Sequence, residues 1–237
     1  MKTPPNDNLA VLIDADNAQA SPIHELLEEV SRYGTASVKR AYGDWSTPQL
    51  KKWKEELHTH AIKPVQQFSY TKGKNATDSA LIIDAMDLLH SGDLNGFCLV
   101  SSDSDFTPLA TRIRESGLVV YGFGERKTPQ PFVAACDKFI YTDILKPTEK
   151  QGSKGKPRFP SPKKKLVEAV DKASGDDGWA NLGTVGSLLV KNDPSFDSRN
   201  YGFKKLVELV NRQSYLEVRK EKAGSGSGGA HIYVRLK

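Results

Sequence analysis

Cysteine is scarce in this 237-residue chain: Cys98 sits inside an apolar run and Cys136 lies far from it. Two thiols so placed imply neither a disulfide framework nor a thiolate zinc site. Long apolar runs are also missing, and nothing approaches the roughly 18 residues of a membrane span. The N-terminal stretch is polar, and its apolar segment from Leu9 to Ile13 is too short for the core of a secretory signal. A cytoplasmic protein that stays off the membrane is expected. Tyr121-Gly122-Phe123-Gly124 offers Gly-x-Gly but neither the third glycine nor the helix start of a dinucleotide site. His58 and His60 flank a polar helix end and read as solvated, and nothing resembles a catalytic triad.

What is present is the composition of a soluble globular protein, 38% hydrophobic and 27% charged, on a chain long enough for two modest domains. The net charge of +5 is unevenly spread. Residues 1–146 carry 16 Lys and Arg against 19 Asp and Glu, a net of −3, while residues 147–237 carry 18 against 10, a net of +8. A basic module beside an acidic one suits a polyanion binder joined to a cation-dependent site, although basic surfaces also serve solubility alone.

The first half alternates short apolar runs with helical periodicity. Strands are expected at 9–14, 37–42, 62–68, 97–101, 118–123 and 138–141, with helices at 21–33, 48–60, 76–90 and 106–116. Runs such as Phe97-Cys98-Leu99-Val100 show little alternation, as in a parallel sheet covered on both faces. A doubly wound α/β domain follows. In such sheets ligands bind outside the carboxyl ends of the strands.

Those ends are acidic. The first strand runs into Asp14-Ala15-Asp16-Asn17, and the strand at 97–101 runs into Ser102-Asp103-Ser104-Asp105. Asp78, near the start of the helix at 76–90, lies on its inward stripe with Ile82 and Ala85, while Asp84 and Asp87 point elsewhere. Any one of these aspartates taken alone would read as a helix cap. Two Asp-x-Asp pairs at two strand ends plus Asp78 are harder to explain that way, because converging carboxylates repel unless a cation neutralises them. Hard oxygen ligands suit Mg²⁺ or Mn²⁺, and the chemistry such an ion supplies is phosphate-ester hydrolysis without a protein nucleophile. Asp14, Asp78, Asp103 and Asp105 are the expected metal-holding, catalytic group, with Asp16 a helper at its margin.

Val-Leu-Ile-Asp-Ala-Asp-Asn, Lys-Asn-Ala-Thr-Asp and Val-Ser-Ser-Asp-Ser-Asp-Phe, in that order, resemble the NYN (LabA-like) family of PIN-type nucleases over about residues 8–146. The resemblance implies a PIN-like three-layer αβα fold with a mostly parallel sheet, single-stranded RNA or other nucleic acid as substrate, and Mg²⁺ or Mn²⁺ at the four aspartates. It also implies a loop-ordering or substrate role for Asn17, and Ser102 stands where the family often has Gly. Lys72 and Lys74, just before Asp78, are candidate phosphate contacts or ordinary solvated lysines. Phosphohydrolases of the haloacid dehalogenase type share Asp-x-Asp after a first strand, but the residues after Asp16 do not complete their motif.

Residues 147–160, rich in Pro, Gly and Lys, read as a flexible linker. Beyond it, in residues 161–237, Leu166, Val167 and Val170 mark a helix that ends near Gly175, Leu182 to Val190 gives a second, and Ser198 caps a third running to about Arg212. Alternating strands at 215–219 and 231–236 flank the Gly/Ser run at 224–229, which gives three helices and a two-stranded wing. The Gly/Ser run could be taken for an engineered tail, but the alternation of Ile232, Val234 and Leu236 argues for a returning strand. Val185-Gly186-Ser187-Leu188-Leu189, Pro194-Ser195-Phe196-Asp197 and Ser198 to Leu206 resemble the LOTUS (OST-HTH) domain. That resemblance implies a small winged helix-turn-helix domain that binds RNA, in some relatives G-rich or quadruplex RNA. Arg199, Asn200, Lys204 and Lys205 on the third helix, with Lys220 and Lys222 before the wing, are the candidate contacts. Tyr201, Phe203 and Leu206 follow the buried stripe and read as core.

The sequence supports an endoribonuclease whose tail captures RNA, and it leaves open a regulator that binds RNA without cutting it. A homo-oligomer is also left open.

Overall fold

The computed structural model describes residues 7–68, 76–145, 159–222 and 230–237, the side chains of Lys222 and Ala230 excepted. The chain divides into two compact units, Met1–Pro147 and Thr148–Lys237. No helix among the described residues is long and apolar enough to cross a membrane.

The first unit is built on six strands, β1 (Asn8–Asp14), β2 (Thr35–Gly43), β3 (Lys63–Gln66), β4 (Gly96–Val100), β5 (Val119–Gly124) and β6 (Lys138–Tyr141). They pair in the order β3-β2-β1-β4-β5-β6, and every pair is parallel. Among the described residues its α-helices are α1 (Ile23–Val30), α2 (Lys51–Thr59), α3 (Ala76–Ser91), α4 (Thr107–Glu115) and α5 (Gln130–Ala135).

In β1 and β4 every residue from Leu9 to Asp14 and from Gly96 to Val100 is buried, as the unalternating apolar runs require of central strands. Val11, Ile13, Cys98 and Val100 pack with Ile23 and Leu26 of α1 and Trp53 and Leu57 of α2. Their alternates Leu12, Phe97 and Leu99 are equally buried, and α3 packs on β1 and β2 while α4 packs on β5. This is the three-layer α/β arrangement, with a wholly parallel sheet.

Strand order reverses between β1 and β4, so their carboxyl ends open a crevice at the switch point. Register pairs Ile13 with Val100, which sets Asp14 beside Ser101. Both acidic motifs thus issue from adjacent central strands.

Two expectations change. The helix expected at 106–116 starts with a 3₁₀ turn, Ser104–Phe106, for which Asp103 is the cap, its side chain accepting from Asp105 N. The helix α5 was not expected; it is six residues long and carries Pro129 and Pro131 at its start. Gly122 and Gly124 serve packing: a Cβ at Gly122 would lie 2.4 Å from the Phe139 ring, and one at Gly124 2.6 Å from Ser101 O.

The second unit contains α6 (Lys163–Ala173), β7 (Ala180–Asn181), α7 (Leu182–Asn192), α8 (Leu206–Asn211), β8 (Leu216–Lys222) and β9 (Ala230–Leu236). Its core joins Leu166, Val170, Val185, Leu189, Phe196, Leu209, Val210 and Val234, with Tyr201, Phe203 and Leu206 packed on its margin. The antiparallel strands β8 and β9 form the wing, and β7, not expected, pairs with β9 on the other side. The returning strand exists; residues 224–229 lie outside the described ones. The third helix is not continuous. A 3₁₀ turn, Ser198–Tyr201, ends at Gly202 with φ +85°, and α8 begins only at Leu206.

Candidate metal centre and RNA interface

Asp14 is the last residue of β1 and is wholly buried. Burial pushes its carboxyl above the usual range, and hydrogen bonds act against that. The Ser101 hydroxyl donates to Oδ2 at 2.7 Å, the Asn17 amide to the same oxygen at 3.0 Å, and the Asn17 backbone N–H to Oδ1 at 3.3 Å. Asn17 therefore orders the loop after β1 around Asp14. Ser101 also accepts from Asp103 N at 3.1 Å, which ties the two acidic motifs together across the switch point.

On the other side of the crevice stands the first turn of α3. Thr77 donates its hydroxyl to Asp16 Oδ2 at 2.8 Å, which binds that turn to the β1 loop and presents Asp78, itself buried. One oxygen each from Asp78, Asp103 and Asp105 lie within 4.8 Å of one another. Burial, then the negative charge of Asp14, Asp103, Asp105 and Asp16, pushes the Asp78 carboxyl up to about 6. A carboxylate raised by burial and by its neighbours' like charge marks a concentration of negative charge at this corner. Three hard anionic oxygens in that state are a donor set that fits a divalent cation of the Mg²⁺ or Mn²⁺ kind.

Of the four expected carboxylates, three thus share one small space, while Asp14 stands outside the trio and acts on Asp78 through its charge. Asp16 is exposed at the margin, held by Thr77. Lys72 and Lys74 lie outside the described residues. Ser101 and Thr77 were missed from sequence. Their only signal was position, one beside each acidic motif, and a hydroxyl there is too common to single out.

Asp84, two turns along α3, faces β2 instead, where it takes the Arg40 guanidinium and the Tyr42 hydroxyl. Tyr42 pairs with Asp14 in register and is wholly buried; burial first, then the Asp84 carboxylate, holds its hydroxyl protonated.

In the second unit the candidate contacts separate. The Arg199 guanidinium grips Asp197 through Nε at 3.0 Å and Nη2 at 2.7 Å. Asn200 is buried, and its amide donates to Ser195 O at 2.9 Å. It ties a turn and does not face solvent, contrary to its expected place on a helix surface. Lys204, Lys205 and Lys220 are exposed. The first two lie in the bend before α8, with Lys205 as its cap residue. Lys222 ends β8, its side chain outside the described ones.

Comparison with known proteins follows the same division. The NYN domain model matches residues 8–145, and the OST-HTH/LOTUS domain model matches residues 157–227. Among solved structures, the chain is similar to a protein of unknown function from Vibrio parahaemolyticus, at 19% identity over 60% of this chain and 96% of that one, TM-score 0.49. It is also similar to an uncharacterized protein from Nitrosomonas europaea, at 32% identity over 39% of this chain and 88% of that one, TM-score 0.32. A protein from Chromobacterium violaceum gives 36% identity over 34% of this chain and 87% of that one, TM-score 0.27. No curated protein matches the chain. With an NYN model spanning more than half its length, the chain belongs to the NYN domain family, within the PIN-like nuclease superfamily, and carries an OST-HTH/LOTUS domain, an RNA-binding module, after it.

Proposed function

We propose that the protein is a metal-dependent endoribonuclease, in which Asp78, Asp103 and Asp105 hold a Mg²⁺ or Mn²⁺ ion and the second unit captures single-stranded RNA. The observation that carries this reading is the raised Asp78 carboxyl among like charges at the strand switch point. A divalent ion held there would lower the pKa of an attacking water and offset charge on the leaving oxygen of a phosphodiester. The chain's own part is positional. Ser101 and Asn17 fix Asp14 behind the trio, so its charge keeps the potential negative without occupying the opening. Thr77 and Asp16 fix the first turn of α3, so that Asp78 meets the aspartates that follow β4.

The basic tail, with its net of +8, concentrates a polyanion near the acidic unit, and tethering makes delivery intramolecular. Lys204, Lys205 and Lys220 supply phosphate contacts in this reading, with Lys72, Lys74 and Lys222 as further candidates. Arg199 and Asn200 shape the turn that carries them.

The test incubates labelled single-stranded and G-rich RNAs with Mn²⁺ or Mg²⁺, with and without EDTA, and compares wild type with Asp78→Asn and Asp103→Asn. Cleavage that needs the cation and falls about 100-fold or more in either variant supports the site. Cleavage unchanged in both would place the chemistry elsewhere. Tight RNA binding with no cleavage in any metal would leave an RNA-binding regulator.

A further inference from the structure

The side of the wing sheet turned away from the helices carries a set of groups unlike the cations of the third helix. In the sheet order β7-β9-β8, Ala180, Val218 and Val234 face the core. Alternation therefore sends Asn181, Arg219, Tyr233 and Arg235 to the opposite face, together with Trp179 just before β7. Register sets Asn181 and Arg219 on either side of Tyr233. The planar groups touch: the Arg219 guanidinium lies 4.4 Å from the Trp179 ring centre and 5.6 Å from that of Tyr233, and the Arg235 guanidinium lies 4.7 Å from the Trp179 ring centre.

Two carboxylates share this face. Glu217 takes Arg235 Nε at 2.8 Å and Glu221 takes Arg219 Nη2 at 2.9 Å. They offset much of the local charge and hold each guanidinium by its edge, which leaves its plane for stacking. All four charged side chains are 43–47% exposed, and Trp179 and Tyr233 are half-buried. The ordinary role of such a stack is to stiffen a small sheet. That role explains neither the choice of four planar side chains for a solvent face nor its place on the most basic unit of the chain.

We propose that this face is a base-stacking platform for single-stranded RNA, with Tyr233 and the Arg219 and Arg235 planes receiving unpaired bases while the unit's lysines meet the phosphates. This rests on the reading that the second unit captures RNA. Every base has a π face, so the platform takes single strands with little sequence preference, and it rejects duplexes, whose bases are already stacked. Local neutrality disfavours an acidic peptide, which would seek open charge; planar surface within a basic field is the match for unpaired nucleotides.

The experiment uses the full chain, a labelled single-stranded RNA and the same RNA annealed to its complement, under EDTA to prevent cleavage. Tyr233→Ala is expected to weaken single-strand binding about tenfold, with Tyr233→Phe close to wild type and Arg219→Lys weakened despite its kept charge. Photo-crosslinking wild type to a strand containing 4-thiouridine covers the case in which Tyr233→Ala fails to fold, and is expected to label the peptides that hold Trp179 or Tyr233. Single-strand binding unchanged in Tyr233→Ala, equal affinity for duplex, or crosslinks confined to residues 199–212 would overturn the platform while RNA capture stands. Absence of RNA binding by the wild-type chain would overturn both.

Discussion

Ser101 donates its hydroxyl to Asp14 Oδ2 at 2.7 Å while accepting from Asp103 N at 3.1 Å, so a single side chain spans the switch point between two central strands. Ser101→Ala removes a donor from a fully buried carboxylate and an acceptor from a loop N–H. Loss of a partner for a buried polar group costs about 1–3 kcal/mol, read as a lower urea midpoint at unchanged slope. Groups that orient a metal site from behind typically change affinity about 10–100-fold, so Mn²⁺ affinity is expected to fall within that range. An unchanged affinity would detach Asp14 and Ser101 from the cation site.

The Asp78 carboxyl sits at about 6 in the folded chain against an ordinary value of 3.8. A group that binds its proton more tightly when folded stabilises the fold fully below the lower value and loses that contribution as the pH rises through the upper one. The cation-free protein is therefore expected to gain stability on acidification from about pH 6 towards pH 4, as far as this group decides. Asp78→Asn replaces the strained charge with a neutral isostere. Its melting temperature in EDTA at neutral pH should exceed that of wild type, and the rise that Mn²⁺ gives wild type by mass action should vanish. Wild-type affinity for the ion should also fall below about pH 6, where a proton competes for the same oxygen. A variant that melts lower in EDTA and still responds to Mn²⁺ would refute the assignment.

Much of this was legible in the sequence, for definite reasons. Strands β1 and β4 are buried on both faces, so their apolar runs announced a parallel sheet, and the residues after them had to lie at its carboxyl edge. Other features depend on tertiary context. The short α5 lacks a full helical period and starts with prolines. A single glycine, Gly202, breaks what periodicity read as one helix from Ser198 to Arg212. Asn200 looked like a surface polar residue because its partner, Ser195 O, is a backbone atom with no sequence signature. Asp14 appeared equivalent to Asp103 by motif, and only geometry separates it from the trio. The wing-face stack was invisible because Trp179, Arg219 and Arg235 meet only once register sets three strands side by side.

Asp84 offers a control for the acidic site from the same helix. It takes both Arg40 and Tyr42 from β2, at 24% side-chain exposure for each member of the ion pair. Asp84→Ala strands a buried phenol hydroxyl and a half-buried guanidinium. Breaking a fully buried pair costs about 3–5 kcal/mol, and partial exposure reduces the expectation to about 2 kcal/mol. Because Asp84 faces β2, the remaining folded protein should keep its Mn²⁺-induced rise in melting temperature. A large stability loss with the cation response intact separates anchoring of α3 from cation binding. Loss of that response at temperatures where the variant is folded would instead make this anchor part of the metal centre.

Gly202 tests the break in the second unit without touching a candidate contact. Its φ of +85° lies in the left-handed region, and nothing stands within 4 Å of where a Cβ would go, so any cost of substitution is conformational and not steric. The left-handed region costs an L-residue about 1–2 kcal/mol, while replacing glycine recovers about 0.4–1 kcal/mol from the unfolded chain. Gly202→Ala should therefore destabilise by roughly 1 kcal/mol, and Gly202→Asn by less, since Asn tolerates this conformation. The effect belongs to the turn that caps the approach to α8, so it should appear as about fivefold faster hydrogen exchange at the amides of Leu206–Asn211. An order with Asn worse than Ala would mean that side-chain bulk and not backbone conformation decides, and that the break in the third helix is not held by this glycine.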